Sequence, residues 1–415
     1  MNNSISQRDG IGQESIQAGR YHWVVLALVV SGQMAAALAM QGLPVLYPFI
    51  KNELMLSRAQ VGLITSSLHI GAFATVLLAG WLTDILGVKR VTVIALVSLA
   101  VCMGVFPLIY SFPVTLILVA FIGVALSPVH PATARAIMDW IPSRIIGLSM
   151  GLKQTGVPIA GTIAASILPT LTLILGWRIS AAMLGVLILA VAIVFFLLYR
   201  DASQDSEIKP KFSIANLQVL LRKRSLLVTM LWGATFVGLQ FIILSYFILF
   251  LIEVLGISPV IAGGLLAVAY ASNSIARISW GAVSDFIFHG RRIVVLAIVG
   301  FLTAAVFFSI SLLGTGVGQA ALVLLAILIG ISAISFQGVF YALIGETADK
   351  GQTGIAVGIA ATMSRVSTVT MTPLFGHLVD MTGSYRVGWR VTALVAFFAT
   401  LALLVFNREP QRREL

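Results

Sequence analysis

Charged residues in this chain are gathered into short stretches that separate long uncharged, mostly apolar runs. A helix needs about 20 such residues to cross a hydrocarbon core of about 30 Å. Twelve runs of that size are present, at 21–43, 60–82, 91–110, 113–134, 147–170, 177–199, 225–251, 258–281, 293–313, 319–343, 354–379 and 389–406. The pattern predicts an all-α membrane protein of twelve transmembrane helices. The first twenty residues are polar and lack the apolar stretch and small-residue cleavage site of a secretory signal, so the first run is expected to stay as a helix. The longest internal polar stretch, 200–224, divides the runs six and six. The expected organisation is a tail at 1–20, a six-helix bundle at 21–199, a loop at 200–224, a second bundle at 225–406 and a tail at 407–415.

Composition agrees. Hydrophobic residues make up 59% of the chain and charged residues 10%, against roughly 25% charged in a soluble domain, and the mean hydropathy is +1.04. A water-soluble fold is excluded. With both termini placed inside, eighteen of the 26 Lys and Arg fall on the cytoplasmic side. Five (Lys51, Arg58, Arg178, Arg386 and Arg390) fall outside, and Lys153, Arg277 and Arg365 fall within predicted helices. This bias predicts a multi-pass protein of a bacterial-type inner membrane with both termini cytoplasmic. It also accounts for the net charge of +11 through the anionic leaflet, without a nucleic acid partner. The single cysteine, Cys102, has no internal disulfide partner and lies in an apolar run.

The halves repeat one another. Gly80-Trp-Leu-Thr-Asp84-Ile-Leu-Gly87-Val-Lys89-Arg90 follows the second run, and Gly281-Ala-Val-Ser-Asp285, with Gly290-Arg291-Arg292 beyond it, follows the eighth. Gly147-Leu-Ser-Met-Gly151 matches Gly354-Ile-Ala-Val-Gly358, and Gly176-Trp177-Arg178 matches Gly388-Trp389-Arg390. These pairs are offset by 201, 207 and 212 residues, a consistent register that marks an internal repeat. On these residues the whole chain resembles the major facilitator superfamily. The loop signature of that family matches at Gly80, Asp84, Gly87, Lys89 and Arg90. Its weaker second copy matches at Gly281, Asp285, Arg291 and Arg292, with the Asp-to-Gly spacing stretched by two residues. The resemblance implies two pseudo-symmetric six-helix bundles, transport by alternating access, and a gating role for the two motifs, which clamp the cytoplasmic halves in the outward-open state. Two stretches depart from familiar subfamilies: Val119-Ala-Phe-Ile-Gly123-Val-Ala125 lacks the Arg of many proton-coupled relatives, and Gly156-Val-Pro158-Ile-Ala-Gly161 only partly matches the Gly-Pro motif of drug exporters.

An ionisable side chain at the centre of a membrane helix costs about 2.5 to 3.5 kcal/mol on insertion scales, so each one calls for a partner or a function. All three here are basic, and no Asp or Glu falls inside a predicted helix core. Arg365 is expected roughly 16 Å deep in the eleventh helix and Arg277 roughly 12 Å from the end of the eighth. Lys153, two turns into the fifth, is placed either at a site or snorkelling to the surface. A cavity lined by uncompensated cations suits an anion, and the planar fork of Arg suits a carboxylate. Basic residues in the eighth and eleventh helices are similar to the arrangement in oxalate-formate exchangers and monocarboxylate porters of the same superfamily. Tyr270, Asn273, Ser274 and Arg277 share one helical face. With Gln154 and Gln337 they complete the candidate substrate set, while Gln33, Gln41 and Gln240 are further lining candidates. His69 and His130 are candidate proton carriers.

The sequence reading is therefore a secondary transporter, expected to be monomeric, moving a small organic anion such as a carboxylate by proton symport or anion exchange. The alternative is a drug or metabolite exporter of the same superfamily. No cofactor, metal cluster, Walker loop or nucleophile–base pair is visible in the sequence, so an enzyme is not expected.

Overall fold

A computed structural model of the chain describes residues 3–202, 223–348 and 352–407. Most of the expected central loop, Lys350 and nearly all of the C-terminal tail lie outside these residues. Twelve membrane-crossing segments follow one another. Helix α1 is Asn3–Glu53, so the expected N-terminal tail runs into it as helix. Helices α2 (58–86) and α3 (88–105) are two parts of Arg58–Val105, divided at Gly87. Helix α4 is Phe112–Leu126 followed by Val129–Trp140. Helices α5 (146–175) and α6 (177–198) are two parts of Ile146–Leu198, divided at Gly176. The second half comprises α7 (Arg224–Glu253), α8 (Pro259–Ala282, continued by a π turn at Val283–Ile287), α9 (Arg292–Leu312), α10 (Gln319–Ser332 and Gln337–Thr347), α11 (Thr353–Thr382) and α12 (Tyr385–Phe406).

The two divisions are glycine turns. Gly87 has φ 81°, ψ 164° and Gly176 has φ 83°, ψ 155°, a backbone region open essentially to glycine alone. Without them each pair would form one rod of roughly 70 to 80 Å, more than twice the membrane core. Two other helices are broken within the membrane, at equivalent places in the repeat. Pro128 and Pro131 lack the N–H that would continue α4. In α10 the turn at Ala333–Phe336 frees the Ile331 carbonyl, which accepts hydrogen bonds from Trp280 Nε1 at 2.7 Å and from Ser335. Irregular backbone at membrane depth requires such partners. The π turn after α8 carries Asp285 and, with left-handed Gly290 (φ 77°), takes up the two extra residues of the second motif copy.

Helices α1 to α6 form one bundle and α7 to α12 the other. Large apolar side chains such as Phe121, Ile174, Leu197, Ile278 and Phe398 are exposed around the outside, where lipid covers them. Tyr21, Asp201 and Asn407 share one face with Gly87, Trp140, Arg224 and Thr347, here called the terminal face. Glu53, Gly176, Glu253 and Gly383 lie on the opposite face.

The halves are joined towards the opposite face. Asp380 at the end of α11 accepts hydrogen bonds from the Arg58 and Ala59 backbone N–H groups at 3.2 and 2.9 Å, so a carboxylate of one half caps a helix N-terminus of the other. The Arg58 guanidinium pairs with Glu253 at 2.6 Å and Asp380 at 3.4 Å, and Lys51 reaches Glu253 at 3.0 Å. Deeper in, Ser66 Oγ donates to the Val369 carbonyl at 2.7 Å, and the Thr65 and Ser245 hydroxyls lie 2.9 Å apart. Helix α5 meets α8 where the Tyr270 ring lies flat against Gly161, with no room for a Cβ (2.9 Å). At the terminal ends of α5 and α11 the repeat glycines Gly147, Gly151, Gly354 and Gly358 have no neighbour within 4 Å of a Cβ position. The structure is thus joined across its halves at the opposite face, while these four glycines at the terminal ends of α5 and α11 carry no packing contact.

Removing the ionic seam is expected to loosen the closed end. In a Cys102→Ser background carrying Ser66→Cys, Arg58→Gln or Asp380→Asn should speed labelling by an impermeant maleimide applied at the opposite face by roughly tenfold, the population change that about 1.4 kcal/mol produces. Unchanged labelling would show that side-chain packing alone closes it.

Candidate substrate site

The polar interior is built from both bundles. In the second bundle the break in α10 puts Gln337 at the first position of a new helical segment. Its side-chain oxygen accepts a hydrogen bond from Arg277 Nη2 of α8, and its amide donates to Gln240 Oε1 of α7 at 3.1 Å. Three helices are thereby linked through a guanidinium and two neutral amides. Arg277 Nε is buried without a partner, and so is Arg365 Nη1 of α11. Arg277 does not pair with Asp285, which instead bonds Arg292 at 3.2 Å. Tyr341, one turn after Gln337 on the same face of α10, lies within electrostatic reach of both arginines. Sequence reading missed Tyr341, although its i+4 spacing from Gln337 was a usable signal.

In the first bundle Lys153 does not snorkel. It is 1% exposed, and its ammonium donates to the backbone carbonyl of His130 at 2.8 Å. Thr133 donates to the same carbonyl at 3.1 Å and lies 3.3 Å from Gln33 Oε1 of α1. The His130 imidazole is exposed, in the electrostatic neighbourhood of both Lys153 and Arg365. Because Arg365 belongs to the other half, this exposed ring faces the space between the halves. His69 of α2 is buried, packs edge-on against Phe241 of α7 (centroids 4.3 Å, 73°), has Nε2 without a partner and also lies near Arg365. Arg365 is therefore the common neighbour of His69, His130 and Tyr341.

The other predicted residues divide. Asn273 is buried with Oδ1 unpartnered, and Gln41 has a buried, unpartnered Oε1. Tyr270 is fully buried in the seam with α5 and its hydroxyl has no partner. The Ser274 hydroxyl is taken up by the Tyr270 carbonyl at 3.1 Å. Gln154, next to Lys153, is exposed and not brought to it by a hydrogen bond. Buried polar atoms are normally satisfied, so the orphan nitrogens of His69 and Arg365, on opposite halves, point to water or a ligand beside them. Among the described residues Glu53, Asp84, Asp139, Glu253, Asp285, Glu346 and Asp380 all sit near helix ends or beyond them, and ion pairs hold them there.

The motif residues form two clusters at the terminal face, each within its own half. Gly80 lies in α2 one turn before Asp84, which pairs with Arg135 of α4. Arg135 also reaches Asp139 at 3.6 Å. Past Gly87, the Lys89 N–H donates to Asp201 at 2.9 Å while its ammonium lies 4.9 Å over the Phe196 ring, and Arg90 is exposed. In the second copy Gly281 precedes Asp285, Arg291 is exposed, and Arg292 bridges Asp285 and Glu346, the latter at 2.6 Å. Two apolar grooves of about 280 Å³ each, one beside α2, α3 and α4 with Cys102 and one between α8 and α10 with Trp280, lie away from the basic centre.

Twelve helices in two repeated bundles, closed at one end around a polar centre, define a membrane carrier. Residues 29–369 match the model of the Major Facilitator Superfamily, and the chain belongs to that superfamily. It is similar to the hexuronate transporter of Bacillus subtilis (strain 168), 24% identical over 93% of this chain and 94% of that one. It also resembles a protein of Escherichia coli (strain K12) described as a probable L-galactonate transporter, 22% identical over 97% and 93%. The fold matches a bacterial homologue of the human lysosomal transporter Spinster, solved inward-facing and unoccupied, with TM-score 0.75 and 15% identity over 94% of this chain and 99% of that one.

Gln337→Leu should leave Arg277 without its acceptor and Gln240 without its donor. A cost of about 1 to 3 kcal/mol per group left unsatisfied predicts a thermal midpoint in detergent several degrees lower. A midpoint equal to that of the unsubstituted protein would mean that water replaces the amide.

Proposed function

We propose that this protein is a secondary transporter of small organic anions, with hydroxylated carboxylates of the sugar-acid type as the favoured class. The observation that carries the reading is the composition of the polar centre: Arg277, Arg365 and Lys153, two histidines and several amides, with unpartnered donors on both arginines, while Glu253, Asp84 and Asp285 are held in ion pairs near helix ends. An anion there satisfies guanidinium N–H groups that nothing else satisfies, in surroundings where charge–charge attraction is stronger than in water. The amides of Asn273, Gln240 and Gln337 and the phenol of Tyr341 suit hydroxyl groups on the same molecule. Hexuronate and L-galactonate, named for two relatives, both combine one carboxylate with several hydroxyls. An exporter of cationic drugs calls for a buried acid at the centre, and none is present among the described residues.

Transport proceeds by alternating access about this site. With the terminal face cytoplasmic, as the distribution of Lys and Arg favours, the structure corresponds to an inward-facing state. Asp380 and Arg58 hold the outer side shut, and the Asp84 and Asp285 clusters, paired within their own halves, are the parts that engage when the inner side closes. Symport requires a proton carrier at this centre, and exchange of one anion for another requires none.

The test is uptake of a panel of radiolabelled hexuronates, aldonates and short carboxylates into proteoliposomes, by the unsubstituted protein and by Arg365→Gln. Saturable uptake is expected for at least one class. Loss of the guanidinium should lower kcat/KM by about 30-fold or more, the effect of removing one partner of a buried charge pair at about 2 to 5 kcal/mol. No carboxylate uptake, or uptake indifferent to the substitution, would overturn the reading.

A further inference from the structure

We propose that Lys153 carries the coupling proton of an anion–proton symport, being protonated when the substrate anion is bound and neutral when the site is empty. This inference rests on the anion-transport reading above. The ammonium position of Lys153 is enclosed and has one hydrogen bond, to the neutral carbonyl of His130. A buried cation with one neutral acceptor and no counter-ion is unfavourable, whereas a neutral amine donates to the same carbonyl at much lower cost.

The surrounding elements sharpen the argument. Helix α1 carries no ionisable residue between His22 and Tyr47, and presents Gln33 to α4. Helix α4 contributes His130, and further towards the terminal face Arg135 and Asp139, which are engaged with each other and with Asp84. Helix α8 contributes Tyr270 and Arg277. Across the space between the halves stands Arg365, which shares the neighbourhood of His130 with Lys153. No acid on these elements reaches the amine, and its burial opposes protonation until an anion enters. An arginine keeps its proton in either case, so of the three basic residues at the centre only the lysine is suited to change charge in the cycle.

Binding of an anion and of a proton then help each other by the same factor, as linkage requires. At the outer side the amine takes a proton from hydronium, leaving water, as the carboxylate settles against the guanidinium groups. After the halves rock, the anion leaves, the ammonium gives its proton to water at the inner side, and the amine returns neutral with the empty carrier. One proton accompanies each monocarboxylate and the loaded step moves no net charge. No acidic residue is required.

The experiment uses full-length protein in proteoliposomes with glucuronate, a hexuronate, as the probe. It compares the unsubstituted protein with Lys153→Arg in pH-gradient-driven accumulation and in glucuronate counterflow without a gradient. A trapped pH indicator follows proton entry. The unsubstituted protein should take up about one proton per glucuronate and accumulate it several-fold under an inward proton gradient. Lys153→Arg, permanently charged, should retain counterflow yet show no proton entry and an accumulation ratio near one. Glucuronate binding to the unsubstituted protein should weaken by about tenfold per pH unit once Lys153 is neutral in the empty site, a readout that does not depend on any variant folding. Gradient-driven accumulation by Lys153→Arg, or binding that does not change with pH, would overturn the proposal. Glucuronate counterflow without proton entry in the unsubstituted protein would overturn it while leaving anion transport standing. Absence of transport and binding for the whole anion panel would remove the functional reading and this inference together.

Discussion

Hydrocarbon does not solvate charge, and the arrangement of this protein follows from where its charges are allowed to be. The acids that border the membrane sit at helix ends, where Asp380 caps a helix N-terminus, Glu253 receives two cations and Arg292 bridges Asp285 and Glu346. The basic residues left inside have no acid to neutralise them. Arg277 rests on a neutral amide and Lys153 on a backbone carbonyl. The interior is consequently organised around missing negative charge, which is the feature on which the proposed anionic substrate rests.

The same rule makes the two ends of the molecule differ. Ionic contacts at the opposite face cross from one half to the other, binding α2 to α7 and α11. At the terminal face Asp84 pairs with Arg135 and Asp285 with Arg292, each a partner in its own half. In the proposed transport cycle the two situations are exchanged, so each end needs charged groups with more than one satisfactory set of partners. The seams beneath them are closed by small residues: Gly161 admits the Tyr270 ring, and Gly62 lies against the α11 backbone at Pro373. Larger side chains there would hold the halves apart.

Hydrophobic length and charge placement are local properties, and they were legible. The twelve spans, the internal repeat, the isolated basic residues at 153, 277 and 365 and the acids at the helix ends all follow from the order of residues, because a bilayer imposes a fixed length and a fixed cost on each segment. Even the glycines that turn α2 into α3 and α5 into α6 were visible as repeat positions. Helix breaks inside the membrane were less so. The α4 break had its prolines as a signal, but the α10 break at Ala333–Phe336 has none, being held by Trp280 of another helix.

Partnership was decided by tertiary structure alone. Asp380 and Arg58 meet across 322 residues, and Gln240 and Gln337 across 97. No periodicity encodes such contacts, since they depend on how whole bundles pack. Lys153 had two placements open to it, at the surface or inside. Its seat on the His130 carbonyl required the turn of α4 against α5, which brings an acceptor to it and excludes water. The sequence by itself determined what kinds of groups lie in the membrane and at what depth, because those follow from length and solvation along one chain. The fold decided which of them face one another across the two halves, because that depends on three-dimensional packing between segments far apart in sequence.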